Sequence, residues 1–137
     1  MLTAMDADPE TFEAVNALVE RTYSAMSTPG SDFAPIFGHA DMTVAGSGQG
    51  ELIDGPDQVI AVAGRIASLG FAWVPERVRV WVRGDVAWAQ ILGYVEVVED
   101  GGPVRVPYWS TGVFAREADR WWWTYWGGAE PQAKPRV

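Results

Sequence analysis

The chain has 137 residues, a formal net charge of −8 and no cysteine. This length suits one domain with a real hydrophobic core, and the acidity argues against nucleic acid or an anionic membrane as partner, because both require clustered Lys and Arg. The lack of cysteine excludes disulfides and thiolate metal sites. We expect one cytoplasmic domain over residues 1–137, with a core at about 8–128 and a polar tail at 129–137.

The first residues are acidic, and no apolar run is long enough to cross a membrane, so we expect neither a signal peptide nor a membrane span. Helical patterns follow. A helix begins with Asp8 as N-cap and carries an apolar stripe to Met26. Another begins with Asp54 or Gly55 as its cap and ends at Gly70. The shorter elements predicted between them are a helix over 32–37 and strands over 42–45 and 51–53.

After Gly70 the hydrophobic period changes from helical to two, which is typical of strands. The predicted strands are 77–83, 86–98, 104–116 and the tryptophan-rich segment 121–126, joined by tight turns. Helices first and then a run of strands indicate an α+β fold, in which an antiparallel meander wraps around the helices.

The strand from Val86 has two unlike faces. One face mixes large aromatic with polar side chains: Trp88, Gln90, Tyr94 and Glu96. Such a mixture suits the lining of a pocket. The other face, from Ala87 to Val97, is small and apolar, and no segment remains to cover it once the helices are used. We therefore expect the first face to line a cavity and the second to form a homodimer.

A series of short motifs recurs in a characteristic order: Tyr23–Met26, Ile36–Val44, Gly48–Glu51, Gly55–Ile60, Gly84–Trp88, Thr111–Arg116 and Arg120–Trp122. Their order and spacing resemble the SnoaL-like branch of the nuclear-transport-factor-2-like (NTF2-like) superfamily, which includes ketosteroid isomerase. The resemblance extends from the first helix to Trp126. It implies three N-terminal helices packed in a strongly curved antiparallel sheet, the cystatin-like cone, with a deep cavity and usually a homodimer.

The resemblance also implies candidate catalytic residues. Tyr23 falls where ketosteroid isomerases have a tyrosine that donates to an oxyanion, and Thr111 falls where they have a protonated aspartic acid with the same role. Their general base would lie near Ala45 and Gly46, which cannot take a proton. Glu96 is the one acid that strand parity puts on the cavity side, so it is the candidate base. Tyr23 as a core tyrosine and Glu96 as a solvated rim residue are the alternatives.

The predicted ligand-binding residues are Trp88, Gln90, Tyr94, Trp109, Thr124 and Trp126. By register against the isomerase pattern, Trp122, Thr124 and Trp126 face the cavity, whereas Trp121, Trp123 and Tyr125 face the partner subunit. A slip of one residue would exchange the two sets.

Three other features are also open to a chemical interpretation. His39 is the only histidine, has no partners for a metal site and is interpreted as a turn residue. Glu51 and Asp54 form a possible carboxylate pair near the mouth of the cone. The loop Gly46–Gly50 lacks the lysine and spacing of a phosphate loop and is interpreted as a hairpin-like turn.

Competing functions remain open on the sequence. The first is a cofactor-free isomerase, cyclase or hydrolase that acts on a hydrophobic small molecule by proton transfer, without a metal. The second is a non-catalytic ligand-binding or dimeric assembly domain, which the lack of an acid at the expected base position favours. A pocket filled by its own tryptophans is the third.

Overall fold

The computed structural model of the chain describes residues 5–133. The helices are α1 (Pro9–Met26), α2 (Ala34–Phe37) and α3 (Pro56–Ser68). The strands are β1 (Met5–Asp6), β2 (Thr43–Ala45), β3 (Leu52–Asp54), β4 (Ala72–Arg83), β5 (Val86–Glu99), β6 (Gly102–Glu117) and β7 (Arg120–Ala129). The predicted polar tail begins at the end of β7, and its residues 134–137 lie outside the described part. No helix in that part is long and apolar enough to cross a membrane.

The strands form one sheet in the order β1-β4-β5-β6-β7-β2-β3. All neighbours are antiparallel except β2 and β7, which are parallel. Helix α1 contacts both β4 and β7, which are separated by two strands, so the sheet curves around the helix. The predicted α+β fold with three helices in a curved sheet is therefore confirmed.

The two long helices start differently. The Asp8 carboxylate accepts the Thr11 amide at 3.1 Å and the Thr11 hydroxyl at 2.7 Å, as expected of an N-cap. These hydrogen bonds lower the pKa of Asp8, because they favour the charged form. Helix α3 follows Gly55, whose φ of 89° suits a residue without Cβ, and Asp54 belongs to β3 instead.

The predicted faces of β5 are reversed. Ala87, Ala89 and Ile91 are buried in the core and define the inner face of the sheet. Trp88, Gln90, Tyr94 and Glu96, which we expected to line a cavity, share the opposite, outer face. Small side chains let the helix layer approach the sheet closely, which explains why the small face is the covered one. The expected dimer surface from Ala87 to Val97 is therefore not exposed.

The outer face keeps its large aromatic side chains partly covered by arginines. Arg79 lies over the Trp81 ring at 4.7 Å, and Arg105 lies over the Tyr94 ring at 4.4 Å. Stacked guanidinium groups shield aromatic surface while they remain hydrated. An aromatic face can therefore point away from the core.

A β-bulge decides the orientation of the tryptophan-rich strand. Phe114 pairs with Trp123 and Val113 pairs with Tyr125, so Thr124 is an extra residue in β7. The Thr124 hydroxyl donates to the Val113 carbonyl at 3.1 Å. Because the bulge shifts the alternation by one residue, the inner face changes parity along this strand.

The inner face of β7 carries Trp121, Trp123 and Trp126, which are all buried. The predicted inward orientation is right for Trp126, which follows the bulge. It is wrong for Trp122, which precedes the bulge, and for Thr124, which forms it. No single register of alternation accounts for all three buried tryptophans.

Candidate ligand-binding cavity

A small cavity of about 50 Å³ lies between α3 and the inner face of the sheet. It is large enough for a few waters, since one water needs roughly 10–15 Å³. It is far smaller than the roughly 300–1,000 Å³ that encloses a drug-sized ligand. We call it the inner cavity; its lining residues are Met26, Phe37, Val44, Gly46, Glu51, Ile53, Val59, Val62, Ala63, Ile66, Trp73, Tyr108 and Trp126.

Aromatic rings form much of the wall. Trp73 comes from the start of β4, Tyr108 from β6 and Trp126 from β7. The Trp73 and Tyr108 rings are 5.0 Å apart and meet at 76°, and the Phe37 and Trp126 rings are 6.4 Å apart and meet at 85°. Neighbouring walls are therefore nearly perpendicular, an arrangement that favours a compact ligand over a flat extended one.

The interior of the cone beyond this cavity is filled by the protein's own aromatic side chains. Trp123 is completely buried and stacks on Trp126 at 4.9 Å. Phe114 lies 4.5 Å from Trp123, and Tyr23 stacks on Trp126 at 5.6 Å. These rings occupy the space of a deep pocket, so the cavity is confined to the region beside α3.

Buried hydrogen bonds satisfy the hydroxyl of Tyr23 and the indole of Trp123 in this aromatic core. The Tyr23 hydroxyl donates to the Ser110 hydroxyl at 2.9 Å. The Trp123 indole donates to the Thr22 hydroxyl at 2.9 Å, and that hydroxyl donates to the Leu18 carbonyl at 2.6 Å. Burial raises the pKa of Tyr23 well above its usual value, and only the hydrogen bond to Ser110 opposes this. Tyr23 is therefore a neutral, partnered core residue.

Among the described residues, Glu51 is the only carboxylate that lines the cavity, and it lies at the rim. A Cβ at Gly46 or Gly48 would overlap the Glu51 side chain, so both glycines make room for this carboxylate. The hairpin loop is held by the Gly46 amide, which donates to the Glu51 carbonyl at 2.8 Å. The interpretation of 46–50 as a hairpin turn is confirmed, because β2 and β3 pair on either side of it.

Tyr108 connects the wall to the rim. Burial raises the pKa of its hydroxyl, the nearby polar groups of Ser47 and Trp126 oppose the rise, and the charges of Glu51 and Glu130 add to it. The Ser47 hydroxyl in turn donates to Glu130 at 3.3 Å. Carboxylates therefore dominate the electrostatics of this edge of the cavity.

Most predicted site residues lie elsewhere. Trp126 lines the inner cavity, whereas Gln90, Trp109 and Thr111 share a concavity of about 440 Å³ on the outer face. Glu96 is also on that face, where Arg105 donates to it at 3.3 Å. Trp88, Tyr94 and Thr124 do not line the inner cavity either. The predicted trio of Tyr23, Glu96 and Thr111 is not assembled.

On β6, the sequence neighbours of the predicted site residues Thr111 and Trp109 occupy the inner face. Ser110, not Thr111, meets Tyr23, because β6 pairs Ser110 with the inward Ile91 and Thr111 with the outward Gln90. The same register turns Tyr108 inward. Correct parity for β5 would have identified both residues. The sequence does not identify Trp73, because the period-two pattern becomes regular only at Arg77, after the bulge between Pro75 and Arg77.

His39 has a structural role. Its Nδ1 accepts the Asp41 amide at 3.0 Å, so Nε2 donates to Glu117 at 2.9 Å in the neutral ring. This joins the turn before β2 to the β6–β7 hairpin. No group of three or more His, Asp or Glu side chains in the described residues could hold a metal ion.

The residue pattern that gives this architecture also matches a known family. The model of the SnoaL-like domain matches residues 15–128. The chain belongs to the SnoaL-like family. Comparison with curated proteins gives no significant match, so the match to the family model is the sequence support for this assignment.

Solved structures similar to this SnoaL-like domain share its fold at low identity. An NTF2-like protein with a cystatin-like fold from Novosphingobium aromaticivorans is 18% identical, with a TM-score of 0.78 over 91% of this chain and 84% of that one. A cystatin-like protein from Caulobacter vibrioides is 17% identical, with a TM-score of 0.77 over 90% and 92%. A candidate dehydratase of the NTF2-like family from Streptomyces avermitilis is 21% identical, with a TM-score of 0.75 over 92% and 100%.

Proposed function

We propose that this SnoaL-like domain binds a compact, largely apolar small molecule in the inner cavity. The supporting observation is the lining itself, in which aromatic and aliphatic side chains form the walls and a single carboxylate lies at the rim. Burial of apolar ligand surface there contributes roughly 25 cal/mol per Å². The volume of about 50 Å³ favours a small molecule or one end of a larger one.

Binding without proton transfer agrees best with the geometry. The Tyr23 hydroxyl is engaged by Ser110, Glu96 by Arg105, and Thr111 is exposed on the other side of the sheet. A general acid and base must reach the same substrate within hydrogen-bond distance. These three residues do not share a site, so they support no common reaction.

The test compares two neighbouring positions of α3. Val62 lines the inner cavity, whereas Ala61 is exposed. We expect compact cyclic hydrocarbons to quench or shift tryptophan fluorescence in the wild type and in Ala61→Phe, and to lose this effect in Val62→Phe, whose ring enters the cavity. Equal binding by both variants would contradict the proposal, provided that both retain the circular dichroism of the wild type.

Proton transfer by Glu51 is the second candidate function. Two glycines leave space for its carboxylate at the cavity rim, and its charge acts on the Tyr108 hydroxyl. A carboxylate beside an apolar cavity can act as a general base. Asp54, its predicted companion, does not line the cavity.

Exchange of the α-protons of a compact cyclic ketone for deuterium tests this second candidate. If Glu51 is a base, Glu51→Gln should reduce the rate by about 100-fold or more, while Glu96→Gln, on the outer face, should leave it unchanged. Equal rates for the wild type and both variants would remove Glu51 as a base and leave ligand binding alone.

We also propose that the domain forms a homodimer through the outer face of the sheet. No helix of residues 5–133 packs on this face, and Trp109 is 47% exposed there beside a concavity of about 440 Å³. Aromatic side chains at the centre of an interface contribute most to binding. The outer face replaces the small apolar face that the sequence suggested.

Sedimentation measurements on charged variants test the dimer. Trp109→Glu should give a monomer, because it buries an unpaired charge at the interface. Leu69 is 60% exposed at the end of α3, so Leu69→Glu should remain dimeric. A wild-type monomer at concentrations well above the micromolar range would contradict this assembly.

A further inference from the structure

The carboxylate at the rim of the inner cavity, Glu51, has no counter-ion among residues 5–133. The carboxylates that form ion pairs lie elsewhere and belong to Asp6, Asp85, Glu96 and Glu117. Ser47, in the loop before Glu51, donates its hydroxyl hydrogen to Glu130 instead. Because Glu51 is exposed to solvent, a molecule at the rim can reach its carboxylate.

The Glu51 carboxylate lies close to two parts of the cavity wall. A Cβ added at Gly46, which lines the cavity, would lie 2.7 Å from Oε2 of Glu51. Burial raises the pKa of Tyr108, which also lines the cavity, and the charge of Glu51 adds to this rise. The carboxylate therefore lies where the apolar walls of the cavity meet water.

The charges around the cavity favour a cation over an anion. No Lys, Arg or His of residues 5–133 lines it, and Arg65, the one cation of α3, is exposed and not part of the lining. Glu130 adds a second negative charge near Tyr108, and the whole chain has a formal net charge of −8. An anionic ligand would therefore meet like charge at the rim, whereas a cationic one is attracted there, also from a distance.

We infer that the ligand of the inner cavity is a compact apolar amine, bound as its ammonium ion, with the hydrocarbon part in the cavity and the ammonium group at the rim beside Glu51. The inference rests on the proposed binding function and names its ligand class. Burial of the hydrocarbon part supplies most of the affinity, and Glu51 selects the charged ligand over a neutral one of the same shape. The ammonium group stays hydrated at the rim, so its desolvation is small.

The exposure of Glu51 also sets the size of the expected effect. An ion pair in contact with water is weak, because solvent screens it. The amine should therefore bind a few-fold more tightly than its neutral counterpart. An alkylammonium ion keeps its proton at neutral pH, so this role of Glu51 requires no proton transfer.

The experiment uses three probes of similar size and different charge: cyclopentylamine, cyclopentanol and cyclopentanecarboxylate. Their binding to the full chain is followed at low salt and neutral pH in nitrogen–proton correlation spectra. We expect the amine to bind about fivefold more tightly than the alcohol, and the carboxylate to bind most weakly. Glu51→Gln should bring the affinity of the amine down to that of the alcohol, while the affinity of the alcohol changes less than about twofold. Glu96→Gln, the same change on the outer face, should keep the preference for the amine.

Salt and a blocked cavity complete the test. Raising the salt concentration from about 20 mM to about 500 mM should remove most of the preference for the amine, because it screens charges at the rim. Val62→Phe, whose ring enters the cavity, should lose the binding of all three probes.

The outcomes separate the inference from the binding function. If the wild type binds the alcohol and the amine equally, or if Glu51→Gln keeps the preference for the amine, the inferred ammonium ligand is wrong and the binding function stands. If Val62→Phe binds the amine as the wild type does, the amine only pairs with a surface carboxylate, and the inference is also wrong. If the wild type binds none of the probes and no cyclic hydrocarbon, the binding function fails and the inference with it.

Discussion

The hydroxyl of Tyr23 donates a 2.9 Å hydrogen bond to the hydroxyl of Ser110 and thereby joins α1 to β6 inside the aromatic core. Both side chains are almost completely buried. The bond gives the Tyr23 donor an acceptor in surroundings that offer few polar atoms. The tyrosine that the resemblance suggested as a catalytic donor is therefore part of a structural pair.

Removal of the acceptor should destabilise the fold. In Ser110→Ala the Tyr23 hydroxyl keeps its burial and loses its acceptor, so we expect the free energy of unfolding to fall by about 1–3 kcal/mol. Thr111→Val alters the next residue, which is exposed on the outer face. This substitution should change the free energy of unfolding by less than about 0.5 kcal/mol. Urea unfolding measures both. A larger loss in Thr111→Val would contradict the assignment of faces.

The buried hydrogen bond between Trp123 and Thr22 predicts a measurable coupling between the effects of their substitutions on the free energy of unfolding. Thr22→Val leaves the Trp123 indole without an acceptor, and Trp123→Phe removes the donor. A double-mutant cycle should give a coupling of about 1 kcal/mol. Thr28 is the control, because its hydroxyl also donates four residues back, to Ser24 at 2.9 Å, but is exposed. Thr28→Val should lower the free energy of unfolding by less than about 0.5 kcal/mol. If the effects of Thr22→Val and Trp123→Phe simply add in the double variant, the coupling is excluded.

The fold was predictable because its signals are local. Asp8 at a helix start, Gly70 at a helix end and the change of period after Gly70 each depend on a few neighbouring residues. The order of these elements suffices for an α+β meander around helices. The faces of the strands depend on tertiary packing, and there the prediction was wrong.

Two strands illustrate the difference. On β5 both faces are largely apolar, so hydrophobicity does not decide which of Ala89 or Trp88 is covered; the approach of the helix layer decides it. On β7 the bulge at Thr124 changes parity within the strand. The candidate site inherited both errors, because Gln90 and Glu96 were assigned from the parity of β5 and Thr124 from the register of β7.

The raised tyrosine pKa values predict loss of stability in alkali. An unfolded tyrosine loses its proton near pH 10, whereas burial holds Tyr23 and Tyr108 protonated to higher pH in the folded state. The unfolded state therefore binds fewer protons above about pH 10, and stability falls as the pH rises. The stability that their raised pKa values contribute is fully present below that pH.

Urea unfolding between about pH 9 and 11.5 measures this slope. Tyr23→Phe should make the decline shallower by up to about 1.4 kcal/mol per pH unit. Tyr108→Phe should act in the same direction, and the double variant should have a smaller slope than either single one. An identical decline in the wild type and Tyr23→Phe would show that Tyr23 loses its proton equally easily in both states.

The turn between β6 and β7 predicts a substitution that stabilises the protein. Ala118 and Asp119 have positive φ angles of 50° and 62°, a region that residues with a Cβ rarely adopt. Ala118→Gly relieves this strain and should raise the free energy of unfolding by up to about 1 kcal/mol, after allowance for the greater freedom of glycine in the unfolded chain. Ala17→Gly, at an exposed position within α1, should lower the free energy of unfolding by about 0.5–1 kcal/mol. Urea unfolding should therefore give opposite signs for one chemical change. Destabilisation by Ala118→Gly would contradict the left-handed turn that sets the register of β7 at the paired residues Glu117 and Arg120.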